Sequence, residues 1–120
     1  KGQPISADTA KKMRELLAST IYGEAGNAKR FQIEGYEVAG KTGTAENPHG
    51  KDHAVFIGYA PLENPQIAVA VVVENAGFGA TWAAPIASLM IEQYLTGEIK
   101  RKDLKNRIAN AVINESVKIW

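Results

Sequence analysis

At 120 residues, 45% of them hydrophobic, the chain suffices for one small domain or part of one, with a modest single core. Its formal charge of +1, from 14 basic and 13 acidic residues that are well mixed, sets up no field to attract nucleic acid or an anionic membrane surface, so neither is an expected partner. Cysteine is absent, which excludes disulfides, thiolate metal sites and a cysteine nucleophile. No run of about 18 apolar residues occurs, and the start Lys1-Gly2-Gln3-Pro4 has no hydrophobic signal region, so any export signal or anchor is expected outside this chain.

In chain order, Ser6 can cap a helix with Asp8 in its first turn, and Ala10, Met13, Leu16, Leu17 and Ile21 recur at helical spacing until Gly23. Lys11, Lys12, Arg14 and Glu15 occupy the other face, as a solvated surface. Residues 23–32 read as a loop. Three strands are predicted at Glu37 to Ala45, Ala54 to Ala60 and Ile67 to Glu74, joined by short polar connections as in an antiparallel meander. The last two, AVFIGYA and IAVAVVVE, are almost continuously apolar, which predicts cover on both faces.

Thr81 to Leu95 reads as a buried covering helix, with Ile86, Leu89, Met90, Ile91, Tyr94 and Leu95 leaving a narrow polar stripe at Ser88 and Glu92. Pro85 fits its first turn and Gly97 closes it, while Trp82 and Tyr94 fall at core spacing. Residues 1–97 are therefore expected to form the packed part, and 98–120 a charged tail in which Leu104, Ile108 and Val112 make a weak amphipathic helix ahead of a mobile Trp120.

The stretch GYEVAGKTGTAENPHG carries the chemistry and matches two patterns. From Gly35 it satisfies the phosphate-loop pattern G-x-x-x-x-G-K-[ST], ending at Gly40-Lys41-Thr42. That loop needs a helix springing from Lys41 to aim its positive end at phosphates, yet Gly43, Thr44, Pro48 and Gly50 resist one. From Lys41 the stretch is K-T-G-T, which suits an extended strand. Thr42 and Thr44 then share one face, Lys41 and Gly43 the other. Two hydroxyls beside a lysine can hold a carboxylate by charge-assisted hydrogen bonds, and an unpaired strand edge can receive an extended peptide.

Val38-Ala39-Gly40-Lys41-Thr42-Gly43-Thr44-Ala45, then His53-Ala54-Val55-Phe56-Ile57-Gly58-Tyr59-Ala60-Pro61, then the Val-rich strand into Glu74-Asn75, together resemble the carboxyl-terminal part of class B penicillin-binding protein transpeptidases. Glu74-Asn75-Ala76-Gly77-Phe78-Gly79 followed by Ala83-Ala84-Pro85-Ile86-Ala87 is similar to the penicillin-binding protein 2 branch, the cross-linking enzymes of cell elongation. The resemblance runs from about Ile5 to Lys100. It implies an α+β fold, the C-terminal part of the β-lactamase and transpeptidase-like fold: an antiparallel three-stranded meander with an N-terminal and a C-terminal helix packed on the sheet.

By the same resemblance, Lys41 supports proton transfer and substrate charge. Thr42 and Thr44 bind the carboxylate of a D-alanyl-D-alanine stem peptide or a β-lactam, Gly43 admits the acyl group, and the Thr44 backbone N–H forms half of an oxyanion hole. No cofactor and no metal are implied. Serine acyl transfer also requires S-x-x-K and an S-x-N element. None of Ser6, Ser19, Ser88 and Ser116 supplies either. In the family both precede K-T-G, so the nucleophile is expected upstream of Lys1, in a longer, membrane-anchored protein at the periplasmic face of the inner membrane. The chain alone is expected to be inactive.

Its expected partners are that missing N-terminal portion, membrane proteins of an elongation complex, and a second chain paired along the exposed Ile67 to Glu74 edge unless the tail covers it. Alternatives are a β-lactam sensor domain of the same fold, a structural half-domain that binds only its missing portion, and the nucleotide-binding module. His49 and His53, four apart near Glu46 and Asp52, suit a polar loop better than a helical metal pair, since Pro48 and Gly50 oppose a helix, and His53 stands where it can orient the active-site loop.

Overall fold

The computed structural model describes residues 2–22, 33 and 35–111. Helix α1 spans Ala7–Tyr22. Its start is set by Ser6, whose Oγ accepts the Thr9 N–H at 3.1 Å while its carbonyl accepts the Ala10 N–H at 2.9 Å. One otherwise orphaned helix-end donor is thereby satisfied. Strands β1 (Ala39–Ala45), β2 (His53–Ala60) and β3 (Ile67–Val73) follow, then α2 (Ala83–Thr96) and α3 (Lys102–Ala109).

The three strands form one sheet in the order β1-β2-β3, both pairings antiparallel. Hairpin connections give this meander its simplest topology. On one face, Ala54 and Phe56 of β2 meet Ala83, Ala84 and Ala87 of α2, with Val69, Val71, Val73 and Trp82 around them. The short alanine side chains let the helix lie close to the sheet. A second cluster joins Ile21, Ile33, Val38, Ala60 and Ile91. Gly97 ends α2 in the left-handed region at φ 81°, its N–H bonded to the Gln93 carbonyl at 3.0 Å, a conformation glycine adopts without a Cβ clash.

Two expectations about cover are overturned. The continuous apolar run of β3 does not mark a strand covered twice: Ala68, Ala70 and Val72 are exposed, Val72 to 61%, and Ile57 beside Ala70 is exposed too. The valines facing α2 are packed, whereas on the other face α1 meets the sheet at the buried Tyr59, whose hydroxyl reaches the Arg14 carbonyl, and leaves Ile57, Ala68, Ala70 and Val72 open. The polar stripe of α2 is also reversed, since Ser88 and Glu92 are buried (2% and 3% exposed) while Met90 and Tyr94 face outward.

The cause lies after the helix. Arg101 folds back, donating from Nε to Glu92 Oε2 at 2.9 Å, from Nη1 to Ser88 Oγ at 3.2 Å and from Nη2 to the Ser88 carbonyl at 3.0 Å. The Lys100 N–H completes the set on Glu92 Oε1 at 3.0 Å. Satisfied in this way, the polar stripe can be buried. Trp82 packs against the core as expected, but Tyr94 does not. Leu104 and Ile108 do sit in a short helix; Val112, Trp120 and the loop at 23–32 lie outside the described residues.

Candidate functional site

Lys41, Thr42, Gly43 and Thr44 all lie on β1, which pairs on one side with β2 and is the edge of the described sheet. Register separates their side chains. Thr42 and Thr44 oppose Phe56 and Ala54, on the face toward α2, whereas Lys41 and Gly43 oppose Ile57 and Val55 on the face left open. Lys41 is exposed, and its Nζ donates to the Thr42 carbonyl at 2.8 Å. The strand runs on to Ala45, with no helix at Lys41, so the phosphate-loop reading fails. Gly40, which completes that pattern, has a packing reason instead: a Cβ there would run into the Phe56 ring and come within 2.5 Å of the Ile57 carbonyl.

Contacts at both ends hold β1. At its start, the Thr20 hydroxyl near the end of α1 bonds the Gly40 carbonyl. Nearby, the buried Tyr59 hydroxyl donates to the Arg14 carbonyl at 3.0 Å, fixing α1 to β2. Burial pushes the Tyr59 phenol above its ordinary value of 10.0, and the Arg14 guanidinium draws it partly back. The phenol therefore stays a donor through neutral pH.

At the far end, the β1–β2 hairpin is tied to the β3–α2 loop. Asn47 Nδ2 donates to Asn75 Oδ1 at 2.6 Å, the Asn75 N–H donates to His53 Nδ1 at 3.0 Å, and the Gly77 N–H donates to the Asp52 carbonyl at 2.7 Å. Gly79 then lies flat on the β1–β2 backbone. A Cβ on it would run into the Val55 carbonyl and stand 2.6 Å from the Gly43 carbonyl and 3.2 Å from the Gly43 nitrogen.

With this geometry established, the sequence matches the family model described as the penicillin-binding protein transpeptidase domain over residues 1–92. The chain belongs to the penicillin-binding protein transpeptidase family. Stage V sporulation protein D of Bacillus subtilis is 40% identical over 118 residues, covering 90% of this chain and 18% of that protein. Peptidoglycan D,D-transpeptidase MrdA of Haemophilus influenzae is 38% identical over 93 residues, covering 65% of this chain and 14% of that protein. In structure, the imipenem acyl-enzyme of penicillin-binding protein A from M. tuberculosis superposes with a TM-score of 0.69 at 38% identity, over 80% of this chain and 21% of that one. The α+β meander is thus the fold of the penicillin-binding transpeptidases, and the chain spans only a minor part of its relatives' length.

In this transpeptidase-family chain, the residues that sequence reasoning passed over are those buttressing K-T-G-T from behind. Asn47 carried no role in the linear pattern, and Asn75 and Gly79 entered it only as part of the resembling segment, although the positive φ of Asn75 (55°) marks a turn that Asn tolerates better than most residues. His53 does reach the loop, as its place at the strand entrance suggested. Asp52 Oδ1 accepts the Asn47 N–H at 3.2 Å and His49 enters only through its backbone N–H, on Asn47 Oδ1 at 3.0 Å. Among the described residues no group of three or more His, Asp or Glu gathers in a way that would hold a metal ion.

Proposed function

We propose that this chain is the carboxylate-binding and oxyanion part of a serine D,D-transpeptidase that cross-links peptidoglycan stem peptides. The carrying observation is the extended K-T-G-T segment on a sheet edge, with Thr42 and Thr44 side by side on one face. A terminal D-alanine carboxylate, or the carboxylate of a β-lactam, accepts hydrogen bonds from the two hydroxyls, with the Lys41 ammonium bonded to the Thr42 carbonyl from the other face of the strand. Such charge-assisted bonds are worth about 1.5 to 3 kcal/mol each. The Thr44 N–H stabilises the oxyanion of the tetrahedral intermediate. Support for the ligand class comes from the relative in M. tuberculosis, which is known as an imipenem acyl-enzyme.

In this reading the nucleophilic serine and its lysine base belong to a preceding part of the complete protein, which works at the extracytoplasmic face of the inner membrane, anchored by an N-terminal segment, within the elongation machinery. The complete protein is expected to be labelled by fluorescent penicillin, and the 120-residue chain alone is not. Thr44→Val is expected to slow labelling about 10- to 100-fold, the loss of one charge-assisted hydrogen bond. An unlabelled complete protein, or full-rate labelling of Thr44→Val, sinks the assignment. Transfer of the acyl group to an added D-amino acid separates a transpeptidase from a β-lactam sensor, in which the acyl-enzyme persists. Depletion in the native cell is expected to round rods; normal rods with failed sporulation would place the chain with the sporulation relative instead.

A further inference from the structure

We infer that Asn75, with Asn47 and His53, is a positioning latch for the active-site strand, and that Gly79 is the surface through which the latch acts. The inference rests on K-T-G-T being the carboxylate and oxyanion strand. It begins from a geometric fact: the residue one step before Thr44 has another backbone pressed against it. The site a Cβ would occupy on Gly79 is 2.6 Å from the Gly43 carbonyl and 3.2 Å from its nitrogen, so Gly79 and Gly43 are in direct backbone contact. The lack of a side chain on Gly79 allows this approach, since any would displace Gly43 or Val55, whereas a Cβ on Gly43 would meet only the Val55 side chain at 3.6 Å.

What keeps Gly79 there is a chain of hydrogen bonds across two loops. The Asn47 amide, on the hairpin that leaves the active-site strand, reaches Asn75 Oδ1 at 2.6 Å and the Lys51 carbonyl at 3.1 Å. The Asn75 backbone N–H lands on His53 Nδ1 at 3.0 Å, which requires that nitrogen to carry no proton and leaves the proton of the neutral ring on Nε2. Gly77 N–H on the Asp52 carbonyl, at 2.7 Å, closes the loop two residues before Gly79. On the other side, the Gly79 carbonyl accepts the Ala84 N–H of α2 at 2.9 Å. The wedge is thus clamped between the end of the active-site hairpin and a helix seated on the sheet. Loosening it frees Gly43, and with it the Thr44 amide and hydroxyl, to shift relative to a reacting carbonyl.

The latch touches no substrate, so its loss should slow acylation without abolishing β-lactam recognition or the fold. In the complete protein, Asn75→Gly keeps the left-handed backbone and removes only the side-chain acceptor. Its acylation rate constant for fluorescent penicillin is expected to fall about 10- to 100-fold, the scale of a misplacement near 1 Å, with the non-covalent Kd and the Tm close to wild type. Asn75→Asp, which retains an acceptor for Asn47, should restore the rate. Asn47→Ala, which also loses the Lys51 carbonyl and the His49 N–H, should be at least as slow as Asn75→Gly, and the double variant should be no slower than Asn47→Ala alone.

Wild-type acylation by Asn75→Gly overturns the latch while leaving the transpeptidase reading intact. Equal loss of rate and Tm without rescue by Asn75→Asp also overturns it, reducing these residues to scaffold. If the unsubstituted protein is not acylated at all, the transpeptidase reading fails and the latch with it.

Discussion

Glu92 and Arg101 show how one long side chain can decide which face of a helix is buried. The Glu92 side chain is 4% exposed and that of Arg101 22%, so the two ends of their ion pair are unequal. Removing Arg101 leaves a carboxylate under the fold with only the Lys100 N–H, whereas removing Glu92 leaves a guanidinium near the rim that can turn toward water. Arg101→Ala is therefore expected to cost about 3 to 5 kcal/mol, the range for orphaning a buried charge, and Glu92→Ala less. Denaturant titration of the transpeptidase domain carrying each variant measures the difference. Equal costs would mean that Arg101 is as deeply held as its partner.

At the scale of elements, most of the assignments rest on local chemistry that a linear pattern carries. Ser6 with Asp8 opens α1 because a side-chain acceptor and an acidic first turn serve any helix start, whatever lies around it. Gly97 closes α2 for an equally local reason. Its φ of 81° is open to glycine and costs other residues roughly 1 to 2 kcal/mol, so Gly97→Ala is expected to destabilise by about 1 kcal/mol, read as a fall in Tm with an unchanged denaturant slope. The strand through Lys41 was legible in the same way: Gly43, Thr44 and Pro48 disfavour the helix that a phosphate loop requires, and β1 indeed runs to Ala45.

The burial of α2 was not legible. Helical spacing shows that Ser88 and Glu92 share a stripe, but which stripe turns inward depends on Arg101, nine residues beyond Glu92 and across a chain reversal. The buttress behind K-T-G-T was hidden for a similar reason. Asn47 and Asn75 are 28 residues apart, and either one alone reads as an ordinary turn residue.

For the whole molecule, the unequal faces of the sheet matter most. One face is packed by α2, while the other presents Ile57, Ala68, Ala70 and Val72 beside a β3 edge that pairs with nothing else among the described residues. We propose that this edge, from Ile67 to Glu74, is where the preceding part of the complete protein adds its strands, and where a second chain pairs when that part is absent. The isolated chain is expected to elute above monomer size, and Val72→Lys, a charge on the open face, to shift it toward monomer. A monomer at all concentrations, with β3 amides exchanging freely, would count against pairing of two chains along this edge and against its cover by the charged tail.

The order and type of the elements, the extended course of the K-T-G-T strand and the family were all legible along the chain, because caps, breakers, two-residue alternation and an ordered motif are properties of neighbouring residues. Which sheet face is packed, which stripe of α2 is buried and what braces Gly43 emerged from the fold alone, because these depend on contacts between residues far apart in sequence, whose proximity no local periodicity encodes.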